Sequence, residues 1–105
     1  MQLAIESDNA IPNSYSLSKN HPNPFNPSTT LSYFIPEEGY VVIDIYNING
    51  QKIYTYTSGR EAPGKHSIQW NGKDEKGFRM ESGIYLYSMI IDGRVVDSKE
   101  MLLLK

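Results

Sequence analysis

Residues able to do chemistry are sparse in this chain. The only imidazoles are His21 and His66, cysteine is absent, and neither G-x-S-x-G nor H-E-x-x-H occurs. Covalent catalysis needs a nucleophile, a base and a group that orients the base, and no such set is visible, so the chain reads as a non-enzyme. His21 lies among prolines, and His66 opens an alternating run that places it at a sheet margin. Oxygen donors gather in Asn71-Gly72-Lys73-Asp74-Glu75-Lys76-Gly77, where Asn71, Asp74 and Glu75 suit a hard cation such as calcium. Their spacing is not that of an EF-hand, and turn chemistry explains the same residues without an ion, so no metal or other cofactor is expected. Eight tyrosines and one tryptophan allow a third chemistry, stacking on sugar rings. Alternation sends Tyr33, Tyr85 and Tyr87 inward, which leaves Tyr40, Tyr46, Tyr54 and Tyr56 as candidates for a carbohydrate-binding face.

The fourth candidate is a surface for recognition. In Lys99-Glu100-Met101-Leu102-Leu103-Leu104-Lys105 successive side chains of a strand point to opposite faces, so Met101 and Leu103 in the core put Leu102 and Leu104 outside. Two coverings are open: a neighbouring loop or the parent protein, or a receptor that grips the stripe between Lys99 and Lys105 by strand addition.

These groups must be positioned by strands. Residues 66–70 alternate, with His66, Ile68 and Trp70 on one face. The polar loop at 71–77 reverses the chain into a strand at 84–91 whose Tyr85, Tyr87, Met89 and Ile91 face inward with Trp70. Residues 29–35 form a strand with Leu31, Tyr33 and Ile35 on one face, ended by Pro36. Residues 40–47 follow, with Val41, Ile43 and Ile45 inward and Asp44 marking the solvent side. Asn49-Gly50 predicts a type I′ hairpin into 51–57, and Asp92-Gly93 predicts another into 94–104. Residues 58–63 read as a polar connection. Residues 15–19 form a short first strand, and Pro22, Pro24 and Pro27 make a stiff turn anchored by Phe25. No stretch keeps a helical period, and the turn spacing is that of an all-β antiparallel sandwich of about seven strands. Phe25, Ile43, Ile45, Trp70, Tyr85 and Tyr87 supply most of its core.

A chain of 105 residues, 39% hydrophobic, holds one domain, assigned to 15–105, with 1–14 a linker or an expression remnant. A formal charge of -2 with interspersed signs offers no basic face for nucleic acid. Residues 1–8 lack the basic start and apolar run of a secretory signal, and no stretch reaches transmembrane length. The expectation is a module cut from a longer precursor whose signal peptide and main domain lie upstream.

Three motifs carry a family resemblance. Trp70-Asn71-Gly72-Lys73-Asp74, Gly77 and Ser82-Gly83-Ile84-Tyr85-Leu86-Tyr87 match W-[DN]-G-x-[DN]-x-x-G…SG-x-Y-x-Y. Asn20-His21-Pro22-Asn23-Pro24-Phe25-Asn26-Pro27 matches N-x-P-N-P-F-N-P, and residues 99–105 match K-x-M-x-L-x-K. Together, over roughly 15–105, the chain resembles the immunoglobulin-like domain first named in the flagellar hook-capping protein and the C-terminal sorting domain of proteins exported by the type IX secretion system. The resemblance implies an immunoglobulin-like fold in which Asn23, Pro24, Phe25, Trp70, Gly72, Asp74, Gly77, Gly83, Tyr85 and Tyr87 are fold residues. It implies recognition through Lys99, Met101, Leu103 and Lys105, to which the outward Leu102 and Leu104 add. It also implies partners, the outer-membrane secretion machinery and an upstream cargo domain, and a route through the periplasm to the cell surface or medium. The Met-Leu-Leu-Leu ending is closer to the hook-capping-like set than to the more basic, valine-rich endings of the best-defined sorting domains. A structural accessory domain of a secreted enzyme or adhesin is the competing expectation, and a carbohydrate-binding module the third.

Overall fold

The computed structural model of the protein describes residues 14–105; apart from Ser14, the proposed linker lies outside the described residues. Alternating apolar residues become strands wherever a turn signal flanks them: β1 (Ser16–Leu17), β2 (Thr29–Ile35), β3 (Gly39–Tyr46), β4 (Lys52–Glu61), β5 (Gly64–Trp70), β6 (Gly83–Ile91) and β7 (Arg94–Leu103). They form two antiparallel sheets, β1-β2-β5 and β4-β3-β6-β7, packed as an immunoglobulin-like sandwich. Neither β2 to β3 nor β4 to β5 pairs within a sheet. The chain changes layer at Pro36 and again at Pro63, where proline withdraws the donor a continuing ladder would need.

The inward faces agree with the alternation. Leu31, Tyr33 and Ile35 of β2, Val41, Ile43 and Ile45 of β3, Ile68 and Trp70 of β5, and Tyr85, Tyr87, Met89 and Ile91 of β6 are all buried. Phe25 joins them from the proline-rich turn, and Met101 and Leu103 from the last strand. Burying each large side chain contributes about 1.5–3 kcal/mol.

Three expectations require correction. Asp44 lies on the outer face of its sheet, yet it is only 5% exposed. Thr55, its neighbour across the ladder, donates its hydroxyl to Oδ1 at 2.8 Å, Tyr46 donates to Oδ2 at 3.4 Å, and Lys52 Nζ stands 3.7 Å from Oδ2. A charge read as solvated is instead covered and bonded. Next, β4 does not stop at Thr57. A register shift between Val41 and Val42 absorbs Ser58 as a bulge, and pairing resumes as Gly59, Arg60 and Glu61 against Val41, Tyr40 and Gly39. Finally, the turn at Asn49-Gly50 is not type I′. Only Gly50 has positive φ, at 83°, and Gly50 N–H donates to Asn47 C=O. Asn47 Oδ1 accepts the N–H groups of Asn49 and Gln51, so an asparagine cap takes the place of a left-handed pair. At Asp92-Gly93 both φ values are positive, 49° and 84°, as a type I′ turn requires.

Candidate recognition site

The three motifs, far apart in sequence, meet at one end of the sandwich. Trp70 closes β5 almost fully buried, and its Nε1 donates to Lys73 C=O at 2.9 Å, which fixes the start of the 71–79 loop against the indole. Phe25 packs tilted against that indole, ring centres 5.8 Å apart, and Tyr85 meets it edge-on at 5.7 Å. Gly72, two residues after Trp70, has φ +75°. A Cβ there would stand 3.0 Å from Pro27 C=O and 3.8 Å from the Leu103 side chain, so the position admits glycine because the proline-rich turn passes so close. Asp74 holds the loop's own turn, its Oδ1 accepting the N–H groups of Lys76 and Phe78.

The proline-rich turn also runs along the open edge of β7. Phe25 N–H donates to Leu102 C=O at 3.0 Å, Leu104 N–H donates to Phe25 C=O at 3.0 Å, and Leu102 N–H donates to Asn23 Oδ1 at 3.0 Å. Leu102 and Leu104 therefore have their edge-facing amides already bonded. Strand addition by a receptor at these residues would have to displace Phe25, whose side chain is 1% exposed.

The terminal residues divide between two faces. Met101 and Leu103 are core, while Leu102 is half-buried and Leu104 exposed on the outer face. Lys99 pairs with Tyr87, so its alternation puts it on the core-facing side at the margin of the sandwich. Lys105 turns back to the Glu81 carboxylate at 3.2 Å, with its N–H on Ser82 Oγ. The lysines thus do not flank the leucine stripe. Its neighbours are Ile84, opposite Leu102, and Leu86, opposite Glu100, which are 41% and 38% exposed beside Leu104 at 48%. The outcome is an apolar ridge across β6 and β7 with Glu100 on its rim. Ile84 and Leu86 were missing from the sequence-level site; the signal was present in their alternation with Tyr85 and Tyr87.

The other chemical candidates are placed as follows. His21 is exposed and bonded through its backbone to Thr30. His66 stacks on Tyr33 at 5.6 Å, its Nε2 is 2.7 Å from Ala62 C=O, and its Nδ1 lies 3.7 Å from Glu61 Oε1. Tyr33 donates to Glu61 Oε1 at 2.5 Å and Ser58 donates to the other carboxylate oxygen. Both hydroxyls point to the acid, not the imidazole, so the group ties β4 to the smaller sheet and leaves no activated nucleophile. Burial, reinforced by the Glu61 carboxylate, raises the Tyr33 phenol above its ordinary value. In the loop, Asn71 Oδ1 accepts Lys73 N–H and Glu75 Oε2 accepts Thr55 N–H, and among the described residues no three His, Asp or Glu side chains cluster as metal ligands. Tyr54 and Tyr56 correct the sugar platform: both are partly buried and pack against the core. That leaves Tyr40 exposed and Tyr46 half-covered above Asp44.

Solved structures share this architecture. Dimeric latent PorU from Porphyromonas gingivalis is similar over 90% of the chain, with TM-score 0.74 and 20% identity, and the chain spans about a tenth (10%) of that protein. PorZ from the same organism, an essential bacterial surface component of the type-IX secretion system, is similar over 83% of the chain and 11% of its own length, with TM-score 0.56 and 15% identity. FlgD from P. aeruginosa is similar over 71% of the chain and 60% of its own length, with TM-score 0.57 and 27% identity. No curated protein matches in sequence. The profile of the FlgD Ig-like domain matches residues 30–94, from β2 to the first residue of β7 and through the Trp70 loop. The chain belongs to the FlgD Ig-like domain family.

Proposed function

We propose that this chain is a C-terminal sorting module that directs an exported bacterial protein through the type IX secretion system to the cell surface or medium. Its partners are the outer-membrane secretion machinery and the cargo domain upstream in the same precursor, and it works by binding in transit through the periplasm, without catalysis. The observation that carries the reading is the apolar ridge at the end where all three motifs converge, with Ile84, Leu86 and Leu104 exposed and Leu102 half-buried among them. The fold likeness to PorU and PorZ supports it.

Removing residues 101–105 would strip Met101 and Leu103 from the core, so a sound test leaves them in place. Residues 15–105 are fused behind a periplasmic signal peptide and a fluorescent reporter in a type IX-competent bacterium, beside a fusion carrying Ile84→Ser, Leu86→Ser and Leu104→Ser. The expected result is reporter at the surface or in the medium for the first fusion and in the periplasm for the second, with equal melting temperatures for the two purified modules. Periplasmic retention of both, with a known sorting domain exported in parallel, would overturn the reading.

That result would favour a structural accessory domain. One observation speaks for it independently: the family profile ends at Arg94, so residues 101–105 lie outside the stretch the profile matches, and FlgD from Xanthomonas campestris, a similar structure, is tied to hook capping in flagellar assembly.

A further inference from the structure

Two sheets have four lateral edges, and on three of them groups of the chain itself cover part of the edge. Phe25 and Asn23 occupy β7 at Leu102 and Leu104. Asp97 takes Leu17 N–H on β1 at 3.0 Å. On β4, Glu75 accepts Thr55 N–H through its carboxylate and donates its own N–H to Ile53 C=O. These are the devices by which folded proteins keep strand edges from pairing with strangers.

On β5 no other segment of the chain, among the described residues, bonds to the outer edge, and Lys65 is its one charged residue. Thr30 exchanges hydrogen bonds with His21, and Ser32 accepts Ser18 N–H, so Thr30, Ser32 and Phe34 point their peptide groups toward β1. Thr29, Leu31, Tyr33 and Ile35 then bond to Trp70, Ile68, His66 and Gly64. The N–H and C=O groups of Lys65, Ser67 and Gln69 are left pointing away from the sheet, and none has a partner among the described residues. All three side chains are exposed on the outer face.

We propose that β5 is a self-pairing edge, through which two copies of this chain associate antiparallel about a two-fold axis at Ser67 and join their smaller sheets into one continuous sheet. The sequence of the edge is self-complementary in that register. Ser67 faces Ser67 of the second copy, and Lys65 faces Gln69 at each end, so every exposed peptide group is bonded and the single cation meets an amide. An axis at Lys65 would oppose two like charges, and one at Gln69 would leave Lys65 unpaired beyond the shared stretch. A two-fold contact of this kind closes on itself and stops at a dimer.

The contact is short, so the association belongs to the weak, reversible class. Sedimentation equilibrium of the whole chain from about 10 µM to about 1 mM covers the affinities such contacts reach. The average mass is expected to climb toward twice that of the monomer. Ser67→Glu and Ser67→Lys each set like charges on the axis and should each raise the dimer dissociation constant several-fold. An equimolar mixture sets Glu against Lys and should return it to the original value or below. Position 67 is exposed, and unchanged melting temperatures would verify that both variants keep the fold. A chain that stays monomeric throughout, or a dimer whose stability these charges and their mixture do not move, would overturn the proposal.

Discussion

Phe25→Ala tests how the proline-rich turn and the terminal strand depend on each other. The side chain is 1% exposed and packs on Trp70 at 5.8 Å, while its backbone makes two hydrogen bonds, to Leu102 and Leu104. Deleting a buried phenylalanine ring costs about 3–5 kcal/mol in lost transfer energy and cavity formation. A domain of this size holds about 5–15 kcal/mol in total, so the variant should remain folded at 25 °C in most of that range. With about 4–8 °C lost per kcal/mol, the melting temperature should fall by more than ~12 °C. The backbone bonds are not deleted, but they lose the anchor that holds them in place. Amide exchange should separate the two effects. Leu104 N–H, whose partner is Phe25 C=O, should lose protection beyond the global loss, whereas the Tyr87 amide in the middle of β6 should follow global unfolding. A loss under ~1 kcal/mol with Leu104 still protected to the global limit would refute the claim that Phe25 clasps the strand.

Other perturbations probe single features. Gly72→Ala should cost more than Gly77→Ala in urea unfolding: both have positive φ, worth about 1–2 kcal/mol, but only at Gly72 does the new Cβ meet Pro27 C=O at 3.0 Å. Asp44→Ala should cost about 1–3 kcal/mol, because the Thr55 hydroxyl loses its acceptor beneath a covered surface; a solvated Asp44 would give a change within about 0.5 kcal/mol. Burial pushes the Tyr87 phenol up to about 12, and its hydroxyl donates to Ser18 C=O at 2.9 Å. Because the unfolded phenol titrates near 10, the folded state keeps a proton that the unfolded state has lost. The Tyr87 contribution to stability should therefore be flat below about pH 10 and fall by about 2–3 kcal/mol toward about pH 12, adding to the fall from the likewise raised Tyr33 and Tyr85 phenols, and Tyr87→Phe should reduce the slope in urea titrations.

How much was legible follows from how local each signal is. Alternation around Trp70 and Tyr85 fixes which side chains enter the core, because period two leaves only two faces to choose between. The Asp92-Gly93 turn was readable for the same reason, both residues tolerating positive φ. Asn49-Gly50 has the same look, but Asn47 supplies a competing cap, a side-chain effect no dipeptide rule contains. Asp44 misleads because its cover comes from Thr55, Tyr46 and Lys52, set in place by tertiary pairing. The site was half visible. Outward Leu102 and Leu104 follow from alternation, whereas the contact of Phe25 with β7 joins residues almost eighty positions apart and leaves no local trace.

That contact decides what a receptor of the proposed kind can read. With the Leu102 and Leu104 amides bonded to the proline-rich turn, main-chain recognition at this end is closed in the folded domain, and side chains are what is left to grip. Of the four ridge residues Ile84 and Leu86 come from β6, Leu102 from β7 and Leu104 from just past its end, and only the β6–β7 ladder sets Ile84 against Leu102. An unfolded tail would present the leucines without their neighbours. Recognition through the ridge therefore reports that the module has folded, and under the proposed function export should follow the folded fraction. Phe25→Ala cells shifted across the variant's melting range should lose export in step with the lost near-ultraviolet signal of the purified module. Export that persists above that range would mean that the tail is read as a linear sequence and that the ridge is not the recognised surface.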